Sequence, residues 1–158
     1  MTISRFATMA LVAFGAAPAL AETYPANGTG MGSVGTEQMP VRDDLILVHT
    51  QNSYDGFEMG QEDHPMASLS GPCFGAAMVE AGAMSGQGYC HLTDADGDIS
   101  AISWTGTGMD ETGRTMGTWT IMGGTGKWDG ATGGGEFDAG STEDGDFSNE
   151  ITGEVTLP

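Results

Sequence analysis

The sequence predicts an all-β domain, a small antiparallel β-barrel of about seven to eight strands with one hairpin disulfide. Three observations predict it. Glycine makes up 27 of the 158 residues, well over twice the usual share of about 7%. Glycine on that scale costs helices about 1 kcal/mol per position, and it suits turns, bulges and tightly curved strands. Turn signals recur at intervals of roughly ten residues, the spacing of a sandwich or barrel. No segment carries the period of a long amphipathic helix.

The chain opens MTISRFATMALVAFGAAPALA. Arg5 gives a positive start, Phe6 to Leu20 is apolar, and Ala19-Leu20-Ala21 is an A-x-A cleavage signal. This reads as a secretory signal peptide over residues 1–21. The apolar run falls short of the roughly 20 residues of a membrane span. The expected mature chain is residues 22–158, periplasmic or secreted, cleaved after Ala21 and free of the membrane thereafter. Cleavage removes Arg5 and none of the 22 acids, so the mature chain is one unit more negative than the formal −18 of the whole sequence. Such a surface repels phosphate backbones and anionic lipid, which excludes nucleic acid and membrane surfaces as partners. The charge itself is explained by solubility.

Residues 22–43 show no periodic apolar face and read as an irregular N-terminal segment, with the barrel domain at 44–158. Leu45 to Gln51 is the first strand, closed by turn chemistry at Asn52-Ser53-Tyr54-Asp55-Gly56. A polar loop covers 55–66. Further strands are expected near 73–80, 84–92, 98–106, 115–122, 133–139 and 148–157, where Ile151, Gly153, Val155 and Leu157 share a face. Turns separate them at Ala81-Gly82, Asp94 to Gly97, Gly108 to Arg114 and Gly123 to Gly130.

Cys73 and Cys90 are the only cysteines. An even count in an exported chain reads as one disulfide. The hairpin tests this independently. A two-residue turn at 81–82 puts Glu80 opposite Ala83, and counting outward puts Cys73 opposite Cys90. Closing a loop of this length contributes about 3 kcal/mol on the chain-entropy model.

The stretch Gly117 to Phe137 (GTWTIMGGTGKWDGATGGGEF) resembles a recurring hairpin of the allene oxide cyclase and dirigent-like β-barrels. Gly88 to Asp98, a G-x-C-x₃-D-x-D-G-D pattern, resembles a hairpin of uncharacterised exported bacterial proteins of the same build. The resemblance covers roughly 85–139. It implies the barrel fold and, by analogy only, a cyclase or isomerase working in the barrel mouth. No catalytic residue of the plant cyclases matches a position here.

Several motifs invite chemistry. Gly30-Met-Gly32-Ser-Val-Gly35 fits G-x-G-x-x-G but lacks the flanking strand and helix of a dinucleotide site. Gly124-Thr-Gly-Lys127 lacks the earlier glycine and the following Ser or Thr of a phosphate loop. No cofactor is therefore expected. Asp94, Asp96 and Asp98 crowd one turn and could hold a calcium ion weakly, but Ile99 and Thr105 stand where an EF-hand needs Gly and Glu. A solvated turn fits better, and no metal site is assigned. His49, His64 and His91 lack short ligand spacing. Aromatic rings with a histidine can line a small-molecule pocket, so Tyr89, His91, Trp104 and Trp119 are the candidate ligand-binding residues, pointing inward. The function expected is an exported non-catalytic module, with a small apolar ligand in the barrel as its partner; the enzyme is the alternative.

Overall fold

The structure, a computed structural model, describes residues 20–141 and 146–158. The signal-peptide reading up to residue 19 lies outside them. Ten strands follow in chain order: β1 (Glu22–Pro25), β2 (Gly28–Val34), β3 (Glu37–Arg42), β4 (Leu45–Met59), β5 (Gly71–Glu80), β6 (Ala83–Thr93), β7 (Ile99–Met109), β8 (Thr115–Gly124), β9 (Thr132–Ser141) and β10 (Phe147–Leu157). The one helical element among the described residues is a 3₁₀ turn at Gly126–Trp128. Neighbours pair antiparallel from β2 through β4 and on to β9, and β10 pairs with both β9 and β2. The sheet thus closes on itself as an eight-stranded barrel, which leaves no open edge around its wall. β1 continues the line of β2 along β10, and β3 continues it along β4.

The segment 22–43 is therefore not irregular: it holds three strands. Alternating apolar residues do not betray them because β2 places Gly28, Gly30 and Gly32 at its inward positions, opposite Met59, Phe57 and Tyr54. β3 is exposed throughout. The expected loop at 55–66 likewise begins too early, since β4 runs on to Met59 through a bulge opposite Met31 and Gly32.

The β5–β6 hairpin turns at Ala81 and Gly82 with φ of 50° and 82°, the left-handed pair of a type I′ turn. Glu80 faces Ala83 and Cys73 faces Cys90, as the turn placement requires. The two sulfurs are bonded, and the disulfide is buried inside the barrel.

Strand alternation sends a ring of residues inward at each level of the lumen. One such row reads Gly75, Gly88, Trp104, Trp119, Gly135, Gly153 across β5 to β10. Two tryptophans stand side by side, with a pair of glycines on either flank. The Trp104 ring lies over Gly88, where an added Cβ would come within 2.6 Å of two ring atoms. Trp119 reaches the other way and its Nε1 donates to the carbonyls of Glu136 and Thr152, both at 3.2 Å. The glycines make a barrel of this width able to hold such rings flat against its wall.

One end of the barrel is closed. Met66 and Leu69 of the loop after β4, Leu92, Trp128 and Val155 are almost fully buried there. The turns between β6 and β7 and between β8 and β9 are tied together at that end by Asp94. Its carboxylate accepts from Trp128 Nε1 at 3.0 Å and from the backbone amides of Asp96 and Asp98 at 2.9 and 3.0 Å. Lys127 Nζ lies 3.0 Å from Asp94 and 2.9 Å from Asp96. Burial pushes the Asp94 carboxyl up, but Lys127, Trp128 and the two amides outweigh it and hold the group below its ordinary range. The ammonium sits between Asp94 and Asp96, the Lys127 amide donates to Asp98 Oδ2 at 3.1 Å, and Asp94 is buried, so the turn expected to be solvated is pinned to its neighbour instead. Lys127 is thereby engaged as a structural cation between the two turns.

Candidate functional site

Toward the other end, where β4 starts and β5 finishes, the lumen is hollow. A cavity of about 380 Å³ runs from a floor that includes Met66 and Leu92, past the two tryptophans, to a rim that includes Val34, Gln38, Val79, Met84 and Met109. That volume suits one small molecule.

Of the four residues expected to line a pocket, two do so. Trp104 and Trp119 both face the cavity. Tyr89 and His91 do not, and this corrects their assignment. The inward face of β6 belongs to Gly88, Cys90 and Leu92, so strict alternation turns Tyr89 and His91 to solvent. Tyr89 is 49% exposed and stands opposite Phe74 on the outer wall. The disulfide decides the face: once Cys90 must meet Cys73 inside, its two neighbours are outside.

The cavity wall is mostly apolar, with Ile102, Ala77 and Phe137 among its members. Among the described residues that line it there is no Asp, Glu, His, Lys or Arg. One sector is polar. Thr50, Asn52 and Tyr54 occupy successive inward positions of β4 and all line the cavity, and Asn149 of β10 joins them across β2. Tyr54 reaches Asn149 because the intervening inward position is Gly30, where a Cβ would come within 2.7 Å of the rings of Tyr54 and Phe57. Tyr54 stacks on Phe57 with ring centroids 4.9 Å apart. Asn149 Nδ2 donates to Tyr54 Oη at 2.6 Å, so the phenol keeps its own proton to donate. Burial pushes the Tyr54 hydroxyl up to about 12, against a small opposing effect of the Asn149 hydrogen bond. Thr50 Oγ1, Asn52 Oδ1 and Asn149 Oδ1 are buried and have no partner in the protein.

Sequence reasoning missed this sector for a physical reason. Asn52 to Gly56 has the composition of a turn, yet these residues continue a strand whose inner face is polar. Asn149 was within reach, because the face through Ile151 and Val155 continues two residues back to Asn149 and four back to Phe147.

Among the described residues no three His, Cys, Asp or Glu side chains are grouped to hold a metal ion.

A closed antiparallel barrel with an interior cavity is the class that fold and site define, and solved structures of the same class are known. The chain is similar to the pterocarpan synthase dirigent protein GePTS1, at 14% identity and a TM-score of 0.53, over 92% of this chain and 97% of that one. It is also similar to the pterocarpan synthase dirigent protein PsPTS1, at 13% identity and a TM-score of 0.50, over 86% and 96% of the two chains. At these identities the shared property is the dirigent-like barrel fold. The sequence matches no protein-family model and no curated protein sequence.

Proposed function

We propose that the mature chain is an exported, non-catalytic β-barrel module that holds a small, mainly apolar ligand in its lumen. The observation that carries this reading is the cavity itself: about 380 Å³, walled by apolar side chains and two tryptophans, with no charged side chain among its described lining residues. A ligand there is neutral, because an ion would lose its hydration without gaining a countercharge. Acid–base catalysis needs a group that titrates near the working pH, and the Tyr54 hydroxyl, raised to about 12, is far from it. The neighbours' names contain the word synthase, so a cyclase or isomerase-type enzyme, like the allene oxide cyclase barrels, stands as the second reading.

Export and binding are tested together on protein recovered from the compartment to which it is delivered. Its intact mass should begin at Glu22, and native mass spectrometry should find a small neutral molecule retained. The neutral dye N-phenyl-1-naphthylamine should bind with saturable fluorescence at one site, and Ala77→Phe, which fills the cavity from β5, should abolish that signal. Protein with neither a retained molecule nor saturable dye binding would refute the reading.

A further inference from the structure

Resting on that reading, we infer that the polar sector formed by Asn52, Asn149 and Tyr54 is a recognition subsite for a hydroxyl group, so that the ligand is a neutral alcohol whose apolar body lies against Trp104 and Ile102. The argument begins with an imbalance. Buried polar groups in folded proteins are nearly always hydrogen-bonded, and each one left unpaired destabilises the fold. Asn149 is only 8% exposed, yet its carbonyl oxygen has no partner. The carbonyl oxygen of Asn52 and the hydroxyl of Thr50 are in the same condition. Two other buried atoms without partners, His64 Nε2 and Ser100 Oγ, belong to residues away from the cavity, whereas these three belong to residues of one sector of its wall. By contrast, Asp94, the buried carboxylate at the closed end, is supplied with partners by the chain itself.

The chemistry of the sector selects the group it would take. Carboxamide oxygens accept, and the Tyr54 hydroxyl, already accepting from Asn149, has a proton to give. A ligand hydroxyl does both: it donates to an asparagine oxygen and accepts from Tyr54. A carboxylate only accepts and would meet unpaired asparagine oxygens in a site without a cation. An ammonium only donates and would lack a counter-anion. The remainder of the wall offers area without hydrogen bonds, so the rest of the ligand is apolar. Sites of this kind discriminate sharply, because an analogue without the hydroxyl leaves the buried groups unpaired.

The test is calorimetric titration of the mature chain with two probes of the same shape, 2-naphthalenemethanol and 2-ethylnaphthalene, which differ by a hydroxyl in place of a methyl. The alcohol should bind at least about tenfold more tightly. Tyr54→Phe and Asn52→Leu, which keep the size of each side chain, should bring the two affinities within about twofold by weakening the alcohol and leaving the hydrocarbon unchanged. Should Asn149→Leu, the third variant, fail to fold, these two still decide the matter. Equal affinities in the unmutated protein overturn the subsite while leaving the binding module standing. A preference for the alcohol that survives both variants also overturns it. If neither probe binds and N-phenyl-1-naphthylamine does not bind either, subsite and module fall together.

Discussion

The two ends of the barrel differ in what their most prominent buried polar side chains do. At the closed end, Asp94 is enclosed and receives hydrogen bonds from an indole, a lysine and two backbone amides. Toward the open end, Thr50, Asn52 and Asn149 are enclosed and left without partners. At the closed end the buried carboxylate joins two turns, although His64 Nε2 and Ser100 Oγ there also lack partners; toward the open end the unpartnered oxygens belong to side chains that line a cavity. Strand pairing runs unbroken between them, so the difference lies in side chains and connections rather than in the sheet. Stability and recognition are thereby separated along a single axis.

That separation can be broken or sharpened by substitution. The largest effect should come from Trp128→Ala at the closed end. The ring is fully buried and supplies the Nε1 donor to Asp94. Its removal should cost about 3–5 kcal/mol, read from urea unfolding. A loss below about 1 kcal/mol would mean that the closed end is not where the fold is secured.

Asp94→Ala should cost less, about 2–3 kcal/mol, and it should change the shape of the pH profile. The folded carboxyl lies below its ordinary range, so its contribution is complete above the unfolded value near 3.9 and is lost as pH falls through the folded value. Lys127 is raised by Asp96 and Asp94, so its share is complete below about 10.4 and is lost as pH rises beyond that. The joint between the turns is therefore whole between about pH 4 and pH 10. The variant should lose much of the acid-induced drop in stability that the unmutated chain shows, measured by thermal melts across pH. An unchanged acid limb would assign that drop to other carboxylates.

The smallest effect should come from Asn52→Leu at the open end. Exchanging an unpartnered buried amide for an apolar group of similar size should change stability by less than about 1 kcal/mol, and the change is expected to be a gain. A loss of about 2 kcal/mol or more in denaturant titration would show that Asn52 belongs to the fold's own hydrogen bonding. The contrast between the ends would then disappear.

Much of the fold was legible because its signals are local. The turn at Ala81-Gly82 fixed the register of a hairpin, and that register brought Cys73 to Cys90 without any knowledge of the rest of the barrel. The N-terminal strands were illegible for the opposite reason. Their pairing partners, β10 and β4, are distant in sequence, and the inward positions of β2 are glycines, which leave no apolar alternation to detect. In the site, Trp104 and Trp119 were expected inside as aromatic rings, and the glycines paired with them, Gly88 and Gly135, leave them room there. Tyr89 and His91 were placed with them because aromatic character was weighed above the alternation that the inward Cys90 enforces. The polar sector escaped because asparagine and serine beside Tyr54 carry the same composition in a turn as in a strand facing a cavity.

The glycine-flanked tryptophans have a consequence for how such a protein changes over generations. The lumen takes its form from side chains that are absent at Gly75, Gly88, Gly135 and Gly153, not from those present alone. An added Cβ at Gly75 or Gly88 would meet both the Trp104 ring and a carbonyl of the neighbouring strand, and at Gly135 or Gly153 it would meet backbone alone, so an exchange at any of the four would disturb the ladder itself. Gly30 is different, because a Cβ there would meet only the rings of Tyr54 and Phe57. A lineage carrying this barrel is therefore held to glycine at the four positions beside the tryptophans, and it can vary the cavity more freely at Gly30, where only side chains need to give way.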